Sequence, residues 1–421
     1  MYQFETVFQL RFVPLKFGVG ASSEVGYDLR ELGAKRVLVV TDSILKRQTR
    51  IVDTVVDHLV KAGLEVDVWD GVEPEPTEDC VVEGVKYASE RRYDAFVGLG
   101  GGSSIDVAKL IDLYTTYPTE SIRDYFAPPI GKGKPIPGPI KPLVAIPTTA
   151  GTGSEVTGVA VVIFKTEKEV VKFGLSSKHL VPTLAVLDPA LTVDLPPTVT
   201  TNTGMDALMH AIEAYTARPY YTRTRPEDPS KRPVYQGSNP VTDMLAEKAI
   251  ELIGRYLPRA YANGYDLEAR SYMLLASHLA GMAFANAGTH ISHAIAYPLV
   301  GLVYERKGIK LPHGLAVSIT GPGLLKALAP YIPGRCLRIA ELLRDYVPED
   351  RLTPESASKA LANLMRILNM PNGLSELGVT EADIERLVEG SLMQQRLLAQ
   401  SPVRVDKALL VKVIKESMKY W

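Results

Sequence analysis

The stretch Ala95-Phe-Val-Gly-Leu99-Gly100-Gly101-Gly102-Ser103-Ser104-Ile-Asp106 decides the fold. Its first five residues are apolar or small and read as a buried strand. The glycines then end the strand, and the residues after them open a helix. Glycine at such a junction lets a backbone approach a pyrophosphate, and a helix start adds unpaired N–H groups and a favourable dipole. The run is not the Gly-x-Gly-x-x-Gly fingerprint, so on pattern alone a phosphate loop and a plain Gly-rich turn both stand.

The same alternation extends to either side. Arg36-Val-Leu-Val-Val-Thr41 reads as a buried strand, 51–62 as a helix, 64–69 as a second strand and 80–90 as another helix. Leu143-Val-Ala-Ile146 and Leu184-Ala-Val-Leu187 read as further strands. Strands alternating with helices argue for a mostly parallel α/β sheet. From about Thr198 the pattern becomes one of consecutive amphipathic helices, at 207–216, 239–263, 267–286 and 354–368. Asp194-Leu-Pro-Pro197 marks the change, which predicts an α/β domain over 1–195 and an all-α domain over 196–421. Two Pro- and Gly-rich insertions, 127–142 and 218–239, read as ordered or partly ordered loops.

Bulk properties narrow the function. A chain of 421 residues is too long for one core at the usual domain size of about 100–200 residues. A formal net charge of −1 gives no field for nucleic acid or an anionic membrane, so neither is expected as a partner. Cys80 and Cys336, far apart in sequence, suggest a reducing compartment more than a disulfide framework. No apolar run approaches the roughly 20 residues that span a bilayer, and no basic-then-apolar leader is visible at the start. These readings together predict a cytoplasmic protein.

The helical half carries the chemistry. In Thr203-Gly-Met-Asp206-Ala-Leu-Met-His210 a carboxylate and an imidazole stand four residues apart, hence on one helix face. His293, in His290-Ile-Ser-His293-Ala-Ile-Ala-Tyr297, and His313, in Pro312-His313-Gly314, add two imidazoles. One carboxylate and three imidazoles would fill most of a divalent ion's shell and leave room for a substrate oxygen. His290 faces much the same way as His293 on a helix and reads as a substrate contact or a donor behind the ligands, a fifth ligand being the alternative. Pro147-Thr148-Thr149-Ala-Gly151-Thr152 could donate to a phosphate or ribose, or be a capped turn. Asp42, at the end of the first strand, could accept from a ribose hydroxyl or cap a helix.

With those residues in hand, the chain resembles the iron-containing alcohol dehydrogenase family over nearly its whole length. Gly100–Ser103, Thr148-Thr149-Ala-Gly-Thr152, Asp206-x-x-x-His210, Asn286-Ala-Gly, His293 and His313-Gly314 match its motifs in order and spacing. The resemblance implies a dinucleotide-binding α/β domain and a helical domain, the architecture shared with dehydroquinate synthase, with the active site in the cleft. It implies one divalent metal, iron or zinc, on Asp206, His210, His293 and His313. It implies a site for NAD, with NADP the alternative, lined by Asp42, Gly100, Gly101, Gly102, Ser103, Asp106, Thr148, Thr149, Thr152 and Lys172. A homodimer is the family-level expectation.

One departure narrows the branch. Many members have a second histidine four residues after the third ligand, and here that place is Tyr297. The hydroxyacid-oxoacid transhydrogenase-like branch is similar here, in a His-x-x-His-x-x-x-Tyr-Pro pattern. It is also similar in the Ala127-Pro-Pro-Ile-Gly-Lys-Gly insertion, in Arg232–Pro240 and at Glu416-Ser-Met-Lys. The implied activity is hydride transfer between a hydroxy acid, an oxo acid and a bound cofactor. Plain alcohol dehydrogenation is the alternative, and a lyase of the dehydroquinate-synthase type a remote one. Tyr297 cannot copy a histidine relay, because phenols titrate near pH 10; it passes protons by hydroxyl rotation along a water chain or shapes the pocket. Substrate carboxylates would need cations, for which Lys132, Lys134 and Arg232 are candidates.

Overall fold

In the computed structural model, which describes residues 3–165 and 170–421, the chain forms two compact units. One is Phe12–Asp194; the other is Leu195–Trp421 together with the N-terminal segment up to Arg11. The sequence reading placed that segment with the α/β half. It belongs with the helices because Phe4 bridges to Thr224, Glu5 N–H donates to the Arg223 carbonyl at 2.8 Å, and Arg11 N–H donates to Asn286 Oδ1 at 3.0 Å.

The α/β unit is built on β1 (Leu15–Phe17), β2 (Arg36–Asp42), β3 (Glu65–Val72), β4 (Ala95–Gly100), β5 (Leu143–Pro147) and β8 (Leu184–Leu187). They form a six-stranded sheet in the order β1-β8-β5-β4-β2-β3, every pair parallel. Its helices are α1 (Val25–Glu31), α2 (Ser43–Gln48), α3 (Ile51–Lys61), α4 (Glu78–Ser89) and α5 (Gly102–Thr116). Val37, Val39, Val97 and Ile146 point to one face, where they pack on Val25, Leu29, Val55 and Leu59 of α1 and α3. Leu38, Val40 and Phe96 point to the other, where Val81, Leu110 and Ile111 of α4 and α5 cover them. A sheet covered on both faces needs apolar residues at consecutive positions, which is why these strands read as unbroken hydrophobic runs.

The strand order reverses between β2 and β4. From β2 the chain adds β3 on one side, then returns to place β4 on the other. Ligands of open α/β sheets bind at such a switch, outside the carboxyl ends of the strands. Here those ends are Asp42 and Gly100.

The sequence reading missed β1 and the antiparallel hairpin of β6 (Val159–Lys165) and β7 (Val170–Ser176). A buried ion pair holds that hairpin to α5. Lys109 is fully buried; its Nζ lies 3.3 Å from Asp106 Oδ1 and donates to the Val159 carbonyl at 2.8 Å. Asp106 Oδ2 accepts from Val161 N–H at 3.1 Å. Burial raises the pKa of Asp106 and lowers that of Lys109, against their mutual attraction. Asp106, expected at the cofactor, instead has both carboxylate oxygens engaged in this tie.

The second unit is helical, apart from isolated bridges: α6 (Pro197–Thr216), α7 (Pro240–Ala262), α8 (Leu267–Ala287), α9 (Ile291–Lys307), α10 (His313–Ser318), α11 (Gly321–Leu328), α12 (Pro333–Leu342), α13 (Ser356–Ile367), α14 (Ile384–Leu392), α15 (Gln395–Leu398) and α16 (Lys407–Glu416). Helix α6 starts ten residues before the 207–216 reading. Pro197 takes its first turn, where a missing N–H costs nothing, so the proline that reads as a break is a start. Every residue of α6 from Gly204 to Thr216 is buried, with α7 and α8 packed against it. Among the described residues, no helix is long and apolar enough to cross a membrane.

Asp106→Ala should strand the Lys109 ammonium and cost about 3–5 kcal/mol of unfolding free energy, measurable by urea denaturation. Adding Lys109→Met should recover most of that loss. An additive double mutant would show that the two residues act independently.

Candidate functional site

Asp206 and His210 sit one turn apart on α6, and His293 comes to them from α9. One ligand atom from each lies within 4.8 Å of the others, and all three residues are buried. The His210 ring stacks between Phe284, at 4.1 Å between centroids, and His293, at 4.8 Å. His313 opens α10 beside this cluster, its ring centroid 5.8 Å from that of His293. Helix α10 approaches α6 this closely because residue 314 is glycine. A β-carbon there would collide with the Asn202 carbonyl oxygen and stand 2.9 Å from Asp206 Cβ.

The residue that sequence reasoning missed is Glu213. It lies on α6 at seven residues from Asp206, hence on the same face, and it is fully buried. One carboxylate oxygen accepts from Ser292 N–H at 2.7 Å, and the other pairs with His293 Nδ1. Burial pushes the Glu213 carboxyl up, but His290, His293 and these hydrogen bonds outweigh it and hold the group down at about 2. A carboxylate on Nδ1 fixes the imidazole tautomer with the proton on that nitrogen and leaves Nε2 as a lone-pair donor. His293 Nε2 is buried and has no hydrogen-bond partner among the described residues. Leaving such an atom unmet costs about 1–3 kcal/mol. A divalent cation would meet it, so the residues present fit a metal.

His290 is placed behind the cluster. Its ring is wholly buried, with Nε2 2.9 Å from Thr216 Oγ1 and Nδ1 3.3 Å from Glu213 Oε1. The Thr216 hydroxyl already donates to the Ile212 carbonyl, so it accepts from His290. Tyr297 lies one turn beyond His293 on α9 and is half-buried.

The cofactor candidates gather at the switch point of the sheet. Asp42 Oδ1 caps α2 by accepting from Leu45 N–H at 2.8 Å, and Oδ2 lies beside Gly100. Gly101 precedes α5 with no side chain capping the helix, so the first N–H groups are offered to a ligand. Gly102 must be glycine, since its β-carbon would stand 2.8 Å from the Thr152 side chain. Ser103 is half-buried in the same first turn. Thr148 N–H donates to the Gly100 carbonyl at 2.9 Å, which ties the two loops together. Thr149 Oγ1 is buried without a hydrogen-bond partner among the described residues, a hydroxyl poised for a phosphate or ribose.

Other cations are engaged elsewhere. Lys172, expected at the cofactor, pairs on β7 with Glu75. Lys132 and Lys134, read as substrate cations, both pair with the buried Asp124, at 2.9 and 2.8 Å. Arg232 lines a surface cavity with Arg218 and Arg223, but its guanidinium is held by Glu5 at 2.9 Å. Spacing in sequence does not reveal such pairings.

Glu213→Gln should weaken metal binding by about 10- to 100-fold, read as metal retained against a chelator, with the fold intact by circular dichroism. Gly314→Ala should also lower metal retention, by pushing α10 off α6 with every candidate ligand still present.

The family model for iron-containing alcohol dehydrogenase matches residues 14–189, and that for the family's C-terminal region matches 234–418. A Bos taurus protein named hydroxyacid-oxoacid transhydrogenase, mitochondrial, is 42% identical over 426 residues, covering 98% of this chain and 90% of its own. Among solved structures, a 1,3-propanediol oxidoreductase superposes with a TM-score of 0.84 at 34% identity, covering 98% of this chain and 100% of that one. Sulfoacetaldehyde reductase from Bifidobacterium kashiwanohense, in complex with NAD+, does so at 0.81 and 28%, covering 98% of each. The mitochondrial relatives overturn the expectation of a cytoplasmic protein. Two distant, unpaired cysteines argue against a disulfide framework and do not identify a compartment.

Proposed function

The chain belongs to the iron-containing alcohol dehydrogenase family, and on that premise we propose that it passes a hydride from a hydroxy acid to an oxo acid through one bound nicotinamide cofactor. It is a metal-dependent oxidoreductase of alcohols or hydroxy acids. The observation that carries the reading is the buried cluster of Asp206, His210 and His293, backed by Glu213.

A divalent ion held there, iron or zinc, would supply Lewis acidity to the substrate's oxygen. The residues do the rest. Glu213 aims His293 Nε2, and Asp206 brings one negative charge against the ion's two. Phe284, stacked on His210, keeps that face dry, which strengthens every charge interaction inside. Gly101, Gly102, Ser103, Thr149 and Thr152 would cradle the cofactor's phosphates, and Thr148 fixes one loop to the other. Asp42 favours NAD over NADP, because its carboxylate accepts from a ribose hydroxyl and repels a 2′-phosphate. A nicotinamide cofactor held there would supply a hydride acceptor and donor, so that oxidation of a hydroxy acid, with a proton released to solvent, would balance reduction of an oxo acid with a proton taken up. Tyr297 shapes the pocket one turn beyond His293.

The test is to incubate purified enzyme with 4-hydroxybutyrate and 2-oxoglutarate, without added NAD. Formation of 2-hydroxyglutarate is expected. Its absence, alongside brisk butanol oxidation with added NAD, would make the protein a plain alcohol dehydrogenase. Asp206→Ala and His293→Ala should each lose bound metal and turnover together; full activity in a variant shown to be metal-free would overturn the metal's role.

A further inference from the structure

A hydroxy-acid substrate needs a cation for its carboxylate, and the three cations that the sequence suggested are paired with Asp124 and Glu5. One other cation in the helical unit has the right place and is not so engaged. Arg396 lies on α15, which packs against α9, the helix of His293 and Tyr297. Its guanidinium carbon stands 5.3 Å from the Tyr235 ring centroid. No carboxylate pairs with it among the described residues. The residue reaches solvent, and although burial pulls its pKa down, Tyr235 and Tyr297 outweigh that and hold it above the usual arginine value. The segment that follows Arg396 is firmly held. Gln400, two residues past α15, accepts from Arg218 N–H at 2.8 Å through its carbonyl and from Arg223 Nη1 at 2.7 Å through its side chain. Gln400 and Tyr235 both crowd Gly288, two residues before His290.

We propose that Arg396 is the carboxylate anchor of the substrate site, gripping the acid group of hydroxy acid and oxo acid in turn beside Tyr235 and Tyr297. This rests on the hydroxy-acid reading above. The chemistry of the two substrates fits a single anchor. In 4-hydroxybutyrate two methylenes separate the reacting carbon from the carboxylate carbon. In 2-oxoglutarate two methylenes separate the oxo carbon from the distal carboxylate. One guanidinium at one distance from the metal cluster serves both, and its planar fork matches a carboxylate bidentately.

The experiment uses full-length enzyme loaded with metal and cofactor. It compares kcat/KM for 4-hydroxybutyrate with that for 1-butanol, the same chain without the acid. Wild type should favour the hydroxy acid. Arg396→Met should lower that preference by roughly 10- to 100-fold, through KM more than kcat, as the loss of a charge-assisted hydrogen bond would. Arg396→Lys, which keeps the charge and loses the fork, should fall between the two. Calorimetric binding of 4-hydroxybutyrate should weaken in parallel. Retained preference in Arg396→Met overturns the anchor and leaves the hydroxy-acid reading standing. A wild type with no preference for the acid overturns both. Should Arg396→Met fail to retain metal, Arg396→Lys decides: a reduced preference supports the anchor, and an unchanged one refutes it.

Discussion

Glu213 is an ionised carboxylate with no exposure to water, and the helical unit is arranged to make that tolerable. Burial alone would protonate it. His293 Nδ1 and the Ser292 N–H bond its two oxygens and keep it charged. This arrangement locks α6 to the start of α9, since the carboxylate's partners run from His290 to His293. It also sets which nitrogen of His293 faces the cluster. A metal-binding cluster drawn from two separate helices is only as precise as the contacts behind it, and here those contacts meet at one side chain.

The α/β unit solves a different problem, that of holding two polar loops open at the edge of a dry sheet. The loops after β4 and β5 are joined backbone to backbone by Thr148 and Gly100. The Gly-rich loop leads straight into α5, and α5 is pinned at its first turns by the Asp106–Lys109 pair. That pair is costly to bury and specific in direction. It fixes the hairpin β6–β7 against α5, and with it the path of the chain that leaves the Thr148–Thr152 loop.

Much of this was legible in residue order. Buried strands such as 36–41 and 95–99 stand out because a doubly covered sheet needs continuous apolar runs. Asp206 and His210 stand out because four residues make one helical turn. The hairpin β6–β7 was not legible: alternate residues of β6 are buried and half-buried, but no tight Gly-containing turn advertises it. The start of α6 was hidden because proline ends some helices and begins others. Glu213 escaped because a glutamate among apolar helix residues looks like any other. Its signal was present, seven residues from Asp206, but it becomes meaningful only once Ser292 and His293 are known to face it.

The cations show where residue order stops being informative. Lys132, Lys134 and Arg232 sit in loops with the composition of a ligand site, yet each is neutralised by a carboxylate. Two of those cations answer to one aspartate, Asp124, whose pKa their hydrogen bonds hold down. Arg396 sits in an ordinary helical stretch and has aromatic neighbours instead. A cation that has found its carboxylate within the chain belongs to the fold, and one that has not is available to a ligand. That distinction depends on the pairings made in three dimensions and not on the number of basic residues in a loop.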